Sequence, residues 1–242
     1  MGQGILLSGE VDFMIKGVFK YSFFGHTVWI TTTHICLLIV MLCLIVFSIV
    51  AGRKMKKASD VPSGFQNFVE LIVEKLDGMT RSVMGKNARK FGNYIGTVFV
   101  FILICNLSGL FGLRPPTADY GVTLPLGVLT FVLIRFNQFK YNKPKAIWKD
   151  MCSPLPPWLP IWFPINVISE IAVPISLSLR LFANVLSGTV MMALIYGLMS
   201  TIAIGWPAAL HVYFDMFSGA IQTYVFCMLT MTYINNQLGE EA

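Results

Sequence analysis

Long apolar runs without charged side chains constrain the fold of this chain most strongly. Residues 27–51 form an uncharged run of 25 residues, and further apolar runs cover residues 92–113, 122–134, 165–204 and 206–234. A helix needs about 20 mainly apolar residues to cross a bilayer, because each residue rises only about 1.5 Å. The runs therefore predict an all-α polytopic membrane protein with about five membrane-embedded helices.

The composition of the chain agrees with this class of protein. Only 12% of the residues are charged and 55% are hydrophobic, whereas a soluble domain contains roughly 25% charged residues. The 242 residues suit a single membrane domain. The five cysteines show no metal-ligand spacing. We therefore expect structural cysteines, and no metal, cofactor or nucleic acid.

The charges between the apolar runs indicate how the chain crosses the membrane. Residues 62–84 carry apolar side chains at helical spacing among charged ones, which predicts an amphipathic helix on the cytoplasmic surface. Fourteen of the 18 Lys and Arg residues lie in 53–90 and in a basic loop at 135–149. Basic segments stay in the cytoplasm. This places residues 1–26 outside, as an N-terminal arm, and the C-terminus in the cytoplasm.

One arginine interrupts the longest apolar run. Between residues 161 and 204 the only formal charges are Glu170 and Arg180. A guanidinium stays charged at any accessible pH, and its placement at bilayer depth costs several kcal/mol. Arg180 is therefore a candidate functional residue. The run approaches 40 residues, so its helix is expected to tilt strongly, to bend, or to break near Gly188 or Gly197.

Small and weakly polar residues share a helical face with Arg180. At 100° per residue, Ser176, Ala183, Asn184 and Ser187 all lie within about 60° of the arginine. Small residues let another helix approach closely. We interpret the stripe as a contact face for a partner surface that slides past it. The alternative is ordinary helix packing, with the arginine reaching to a membrane interface.

A second polar stripe runs along the last apolar segment. In the same projection His211, Ser218 and Gln222 lie on one face with Asp215. Four aligned polar residues are typical of one wall of a hydrated path, along which Asp215 could exchange protons. One alternative is a static ion pair of Asp215 with Arg180 or His211. His211 is either a proton relay or an interfacial histidine.

Four short stretches resemble subunit a of bacterial F-type ATP synthase. They are SLRLFANVLSG at 178–188, NLSGL at 106–110, TAD at 117–119 with VTLPL after it, and IQTYVF at 221–226. The order and spacing of the four stretches make the resemblance specific, and it covers roughly residues 27–235.

The resemblance implies a fold and a function. Residues 161–235 would form a steeply tilted helical hairpin against a rotating ring of c subunits. Arg180 would be the essential arginine that faces the ring carboxylate, with Asn184 and Gln222 as polar neighbours. Two ion half-channels would meet the ring on either side of Arg180. The chain would then be a stator subunit in the bacterial inner membrane that couples translocation of H⁺ or Na⁺ to rotation and ATP synthesis.

The resemblance also implies partners and a division of labour. The partners would be the c-ring, the peripheral-stalk b subunits, the remaining subunits of the complex, and the lipid bilayer. The chain contains no nucleophile–base pair and no phosphate-binding loop. ATP chemistry is therefore expected in partner subunits, and this chain is expected not to be an enzyme by itself.

The sequence departs from the resembled pattern at two positions. Many bacterial members carry a glutamate nine residues after the arginine, where this chain has Thr189, and a histidine where it has Asp215. A threonine does not titrate in the working pH range, and its hydroxyl is expected to bond back to its own helix. We infer that the carboxylate has moved to the last helix. Glu170 matches an acidic position of some members and suits the cytoplasm-facing half-channel.

Two other functions remain open at this point. A secondary transporter could use Arg180 to bind an anionic substrate, and it predicts a helix broken near the membrane middle and a substrate-sized cavity. An intramembrane enzyme could use His211 and Asp215 as catalytic groups, and it predicts a polar-lined pocket open to solvent.

Overall fold

Helices form the membrane-spanning part of the computed structural model. The structure describes residues 17–23, 26–56, 64–111, 113–142, 162–198 and 206–238. Residues 1–16 and 24–25 of the predicted N-terminal arm and residues 143–149 of the predicted basic loop lie outside the described residues.

A short antiparallel β-hairpin precedes the first helix. Strand β1 is Gly17–Phe23 and strand β2 is His26–Thr31, with Phe23 paired to His26. The sequence predicts that the first membrane run starts at residue 27, and this boundary is wrong because residues 27–31 belong to β2. The segment TVWIT is rich in β-branched and aromatic residues, which favour a strand when a partner strand is adjacent.

Helix α1, Thr32–Met55, packs against the rest of the protein mainly through its first half. Its buried residues are Thr33, Cys36, Val40 and, near the other end, Ala51. Most of its other side chains are exposed and apolar, as expected for a helix that faces lipid. Basic side chains follow in the last turn.

Helices α2, Gly64–Met84, and α3, Ala88–Leu107, are joined by the short 3₁₀ turn Gly85–Asn87. Gly85 has a φ of 52°, a left-handed conformation that glycine adopts without steric cost. The helix predicted for residues 62–84 is present as α2. Its position on the membrane surface stays a prediction.

Helix α4, Tyr120–Tyr141, starts at the cap residue Asp119, whose side chain accepts a hydrogen bond from the Gly121 amide at 3.0 Å. The sequence predicts an apolar run over residues 122–134, extendable to 139, that ends in a basic loop. Helix α4 follows the longer alternative and goes two residues beyond it, so Arg135 and Lys140 lie in the helix and not in a loop. The last turns of α4 bury polar side chains against the bundle, and these contacts extend the helix beyond the apolar run.

Helix α5, Trp162–Leu198, has 37 residues and passes through Gly188 without a break. Of the alternatives that the sequence left open, a break at Gly188 is excluded, and the described helix ends one residue after Gly197. Gly188 instead permits close packing, since a Cβ built there would lie 3.6 Å from Phe214 Cβ. A straight helix of this length is about 55 Å long, and a bilayer with its headgroups measures about 40–45 Å. Helix α5 must therefore tilt, bend or protrude.

The last helical stretch runs antiparallel to α5. It consists of α6, Trp206–His211, the π-helical segment Val212–Ser218 and α7, Gly219–Leu238. Gly188 lies against Phe214 and Asn184 is hydrogen-bonded to Ser218. Across the hairpin, residue numbers therefore fall along α5 as they rise along the last helical stretch. Continued over one more turn, this register brings Arg180 level with Gln222.

Among the described residues, five segments are long and apolar enough to cross a membrane, by length and composition. They are Thr32–Met55, Gly64–Phe111, Tyr120–Tyr141, Pro164–Ile195 and Ala209–Gln237. The second of them combines α2, α3 and the 3₁₀ turn Ser108–Phe111. The predicted class, an all-α polytopic membrane protein, is confirmed.

The core lies between α3, α4, α5 and α7. Ile95, Ile102, Leu181 and Phe226 are almost fully buried there. Helices α4 and α5 approach each other closely at Gly127, where a built Cβ would lie 2.7 Å from the Pro174 carbonyl oxygen. Only glycine fits this position without moving the two helices apart.

We expect Gly127→Ala to destabilise the protein by roughly 1–3 kcal/mol, the usual cost of overpacking, because the added methyl group would overlap the Pro174 carbonyl. Gly78→Ala in α2 is the matched control, since a Cβ at that position meets nothing within 4 Å. Thermal unfolding in detergent should show a lower midpoint for the first variant only. Equal midpoints for the two variants would contradict the packing described.

Candidate functional site

Arg180 lies on an exposed face of α5. Within the part of the chain that the structure describes, its guanidinium makes no hydrogen bond and no ion pair. A charged group at bilayer depth is normally paired or faces water. The exposed arginine therefore requires a partner or solvent that this chain alone does not supply.

The predicted small residues share the exposed face of α5 with Arg180. Ser176, Ala183 and Ser187 are all exposed, and the Ser187 hydroxyl donates to the Asn184 carbonyl of its own helix at 2.9 Å. The side chains around the arginine are therefore short, and the surface that they form is nearly flat. Its shape suits close passage of another helix.

Asn184 and Gln222, the predicted neighbours of the arginine, are less accessible. Asn184 is half-buried, and its Oδ1 accepts a hydrogen bond from the Ser218 hydroxyl at 3.2 Å. Gln222 is only 8% exposed, and its Nε2 finds no acceptor among the described residues. A buried amide without a partner is costly, so Gln222 has an unused donor near the level of Arg180.

Asp215 is paired with His211. Its Oδ2 lies 3.0 Å from His211 Nδ1 in a hydrogen bond, and the aspartate side chain is 15% exposed. Of the two static partners considered from the sequence, the structure therefore brings His211 to Asp215 and leaves Arg180 apart. The pair spans one turn, from the end of α6 into the π-helical segment.

The π-helical segment changes the geometry of the second stripe. The sequence projection assumes 100° per residue, but a π-helix bonds residue i to i+5 and rotates less per residue. Asp215 consequently approaches Gly109, with its Oδ2 3.2 Å from a Cβ built there, while Ser218 turns to Asn184. The predicted single wall is therefore divided between two neighbouring elements.

A buried amide network fastens this region to α3. Asn106 Nδ2 donates to the Gly219 carbonyl at 3.1 Å and to Thr223 Oγ1 at 3.2 Å, and its Oδ1 accepts from Thr117 Oγ1 at 2.7 Å. Gly219 is needed here because a Cβ would lie 3.0 Å from Asn106 Cβ. The sequence marks Asn106 only as a lone amide in an apolar run, a signal that already indicates a buried polar contact.

A small polar cavity lies where these elements meet. It is lined by Asn106, Asn184, Val185, Gly188, Phe214, Asp215 and Gly219. Its volume is about 10 Å³, which is close to the least that a single water molecule requires. Polar groups from α3, α5 and the π-helical segment thus surround a space of about one water.

Glu170 lies apart from this cavity, ten residues before Arg180. Its Oε1 is 2.7 Å from Arg135 Nη1, and the two side chains are 28% and 18% exposed. Arg135 also donates to Gln138. This partly buried ion pair joins α4 to α5.

Thr189 makes the local bond expected from the sequence. Its Oγ1 donates to the Leu186 carbonyl at 2.8 Å. The hydroxyl therefore has its hydrogen-bond acceptor in its own helix. The carboxylate nearest to the cavity is that of Asp215.

Fold and site together define a class: a polytopic helical membrane protein with one bare arginine on a helical hairpin and a water-sized polar cavity between its helices. The family described as the ATP synthase A chain matches residues 34–235. The chain therefore belongs to this family, which confirms the resemblance found in the sequence.

Three relatives illustrate the similarity. The sodium ion specific ATP synthase subunit a of Propionigenium modestum is 35% identical over 243 residues, which cover 94% of this chain and 78% of the relative. ATP synthase subunit a of Moorella thermoacetica is 35% identical over 82% of this chain and 86% of its own. The Anoxybacillus flavithermus protein is 31% identical over 91% and 97%.

We expect Asn106→Leu to destabilise the protein by about 1–3 kcal/mol, because the Thr117 hydroxyl and the Gly219 carbonyl lose a buried partner. Asn93→Leu is the control, since Asn93 lies on the exposed side of the same helix. Thermal unfolding in detergent measures both. A control that loses as much stability as Asn106→Leu would show that the network is not the cause.

Proposed function

We propose that this chain is a stator subunit of a rotary F-type ATP synthase, in which the Arg180 face of α5 meets a ring of c subunits. The observation that carries the proposal is the exposed arginine, which has no partner within the described residues and is flanked by small side chains. A ring carboxylate that passes this face would supply the missing counter-charge.

The proposed role of Arg180 follows from the cost of charge in lipid. A ring carboxylate that travels through hydrocarbon has to be neutral, because a bare charge there is too costly. Opposite the fixed guanidinium the carboxylate can lose its proton, since a positive charge within about 4–6 Å stabilises the anion. The same positive charge prevents a proton from hopping directly between the half-channels.

The polar cavity supports a half-channel that ends near Asp215. Asp215 and His211 form a hydrogen-bonded pair, and the adjoining cavity with Asn184 has room for about one water. A chain of carboxylate, imidazole and water can pass protons. The Thr189 hydroxyl is hydrogen-bonded within its own helix. This supports the inference that the carboxylate has moved to position 215.

We assign Glu170 to the cytoplasm-facing half-channel. Its carboxylate is partly exposed and forms an ion pair with Arg135. About ten residues of helix, or roughly 15 Å, separate it from Arg180 along α5. In this role Glu170 would receive the proton that leaves the ring on the cytoplasmic side.

The proposal includes the surroundings of the subunit. The chain would lie in the bacterial inner membrane with its N-terminus outside and its C-terminus in the cytoplasm, since basic residues gather at 53–90 and 135–149. The c-ring, the b subunits and the remaining subunits would be its partners, and ATP chemistry would belong to them. H⁺ is the proposed coupling ion. Na⁺ is the alternative, because one relative is described as sodium ion specific.

The observations favour the stator over the two other functions. A transporter that binds its substrate at Arg180 predicts a broken helix and a substrate-sized cavity, but α5 is continuous through this residue. An intramembrane enzyme with His211 and Asp215 needs a pocket for its substrate, whereas the cavity at Asp215 measures about 10 Å³.

We expect Arg180→Ala to abolish ATP-driven proton pumping by the whole complex in liposomes, because the ring carboxylate loses the charge that stabilises its anion. Ser176→Ala, on the same exposed face, is the control and should pump normally. Quenching of a pH-sensitive dye measures pumping, and the subunit content of the purified complexes checks assembly. Normal coupled pumping by the arginine variant would overturn the proposal.

We expect Asp215→Asn to slow proton flux on the order of a hundredfold, the low end of what a positioned acid–base group contributes, while the complex still assembles. Thr189→Val removes the other side chain considered and should leave the flux unchanged, since its hydroxyl bonds only within its helix. Passive proton conduction through the membrane sector is the measurement. A disabling Thr189→Val beside a normal Asp215→Asn would contradict the relocated carboxylate.

A further inference from the structure

A groove of about 800 Å³ opens between α1, α2 and α3. It is lined by residues in 41–51 of α1, 69–77 of α2 and 88–101 of α3, most of them apolar, and we call it the α1–α3 groove. Its volume lies within the range of about 300–1,000 Å³ that ligand pockets occupy. None of its lining residues belongs to the Arg180 face or to the cavity at Asp215.

The groove lies where the second half of α1 is separated from α3, although this half still contacts α2 through Phe47 and Phe65. Val40 is the last buried residue of α1 before Ala51. On the facing side of α3, a Cβ built at Gly92 would meet nothing within 4 Å, and one at Gly96 would meet only the Leu76 side chain at 3.8 Å. Glycine inside a helix is costly, and here the two glycines serve no close helix contact. Their effect is to widen the groove.

The length of the groove matches one leaflet of a bilayer. Its lining on α3 runs from Ala88 to Phe101, a helical distance of about 20 Å. A bilayer with its headgroups is about 40–45 Å thick, so the groove ends near the middle. A single phospholipid needs a groove through only one leaflet.

The charged residues that line the groove lie at one end only. Met41, Val100 and Phe101 line the apolar end. The charged lining residues Asp77 and Arg89 lie towards the opposite end, and Asp77 is already ion-paired with Arg81 at 2.6 Å. Arg89 is exposed and makes no hydrogen bond or ion pair among the described residues. The Arg89 guanidinium, without a counter-charge among the described residues, thus lies at the open end of an apolar groove.

Further basic residues surround the same end. Arg53 and Lys54 lie in the last turn of α1, and Lys86 and Lys90 flank the start of α3. Basic pockets between membrane helices attract anionic headgroups. The charge of this end is therefore complementary to a phosphate, and the apolar remainder is complementary to acyl chains.

We propose that the α1–α3 groove binds one anionic phospholipid, with its phosphate at Arg89 and its acyl chains along α1 and α3 towards Phe101. The lipid would fill the space between α1 and the bundle and hold α1 in place. This site is independent of the proposed contact with the c-ring, because the two surfaces share no residue.

Native mass spectrometry of the purified full-length chain tests the proposal. Phosphatidylglycerol and phosphatidylcholine with identical acyl chains are titrated separately. The wild type should retain one phosphatidylglycerol more tightly than phosphatidylcholine. Arg89→Gln should weaken retention of phosphatidylglycerol about fivefold, the effect of one basic residue near an anionic lipid. Arg53→Gln removes the same charge at the same end without lining the groove, so it should weaken retention clearly less than Arg89→Gln does.

A second variant tests the apolar part of the groove. Gly92→Leu would place a side chain where a Cβ meets nothing within 4 Å, so it should fill the groove without clashes and weaken retention of both lipids. Circular dichroism checks that the variant keeps its helices. Equal retention of the two lipids by the wild type, or equal effects of Arg89→Gln and Arg53→Gln, would overturn the proposal.

The assembled complex supplies the last test. A photoreactive amino acid in place of Thr97, an exposed residue of the groove wall, should crosslink to added phosphatidylglycerol in membranes. A crosslink to a helix of another subunit instead would show that a protein fills the groove, and the lipid proposal would be wrong.

Discussion

The cost of a permanent charge in hydrocarbon is the constraint on which the rest of this structure depends. Arg180 cannot be neutralised by losing its proton, and the described part of the chain offers it no counter-charge. Its place on an exposed, smooth face of α5 is therefore stable only if solvent or a partner supplies what the chain lacks. The proposed partner, a ring carboxylate that is neutral in lipid and charged beside Arg180, would meet that requirement.

Close helix contacts make room for polar chemistry in an apolar bundle. Gly127, Gly188 and Gly219 each face another helix where a larger residue would touch or overlap it. The approach at Gly219 allows Asn106 to reach the backbone of the last helix, next to the π-helical segment that carries Asp215. A π-turn is costly and is often found at functional sites. Here it turns the aspartate towards α3 and the following serine towards α5.

The molecule presents two different surfaces to its surroundings. The hairpin of α5 and the last helices carries a bare charge and small residues, which suit a moving partner. The α1–α3 groove is apolar, one leaflet long and basic at one end, which suits a lipid that stays in place. The proposed ring contact and the proposed lipid site would thus lie on separate sides of the protein. A tightly bound lipid would then not obstruct rotation at the Arg180 face.

The sequence by itself determined the membrane class, five spanning segments, the exposed face around Arg180 and the family, because apolar run length and local motifs need no knowledge of packing. It placed the start of the first span too early, because strand pairing decides that boundary. It also left the end of α4 and the course of α5 near Gly188 and Gly197 open, because the Arg135–Glu170 contact and helix packing decide them. Only the tertiary structure decided that Asp215 pairs with His211, that Asn106 ties α3 to the last helix, and that α1 leaves a groove. Some of these contacts join residues from different helices. The others depend on a π-helical segment, whose rotation per residue differs from the 100° that an α-helical projection assumes.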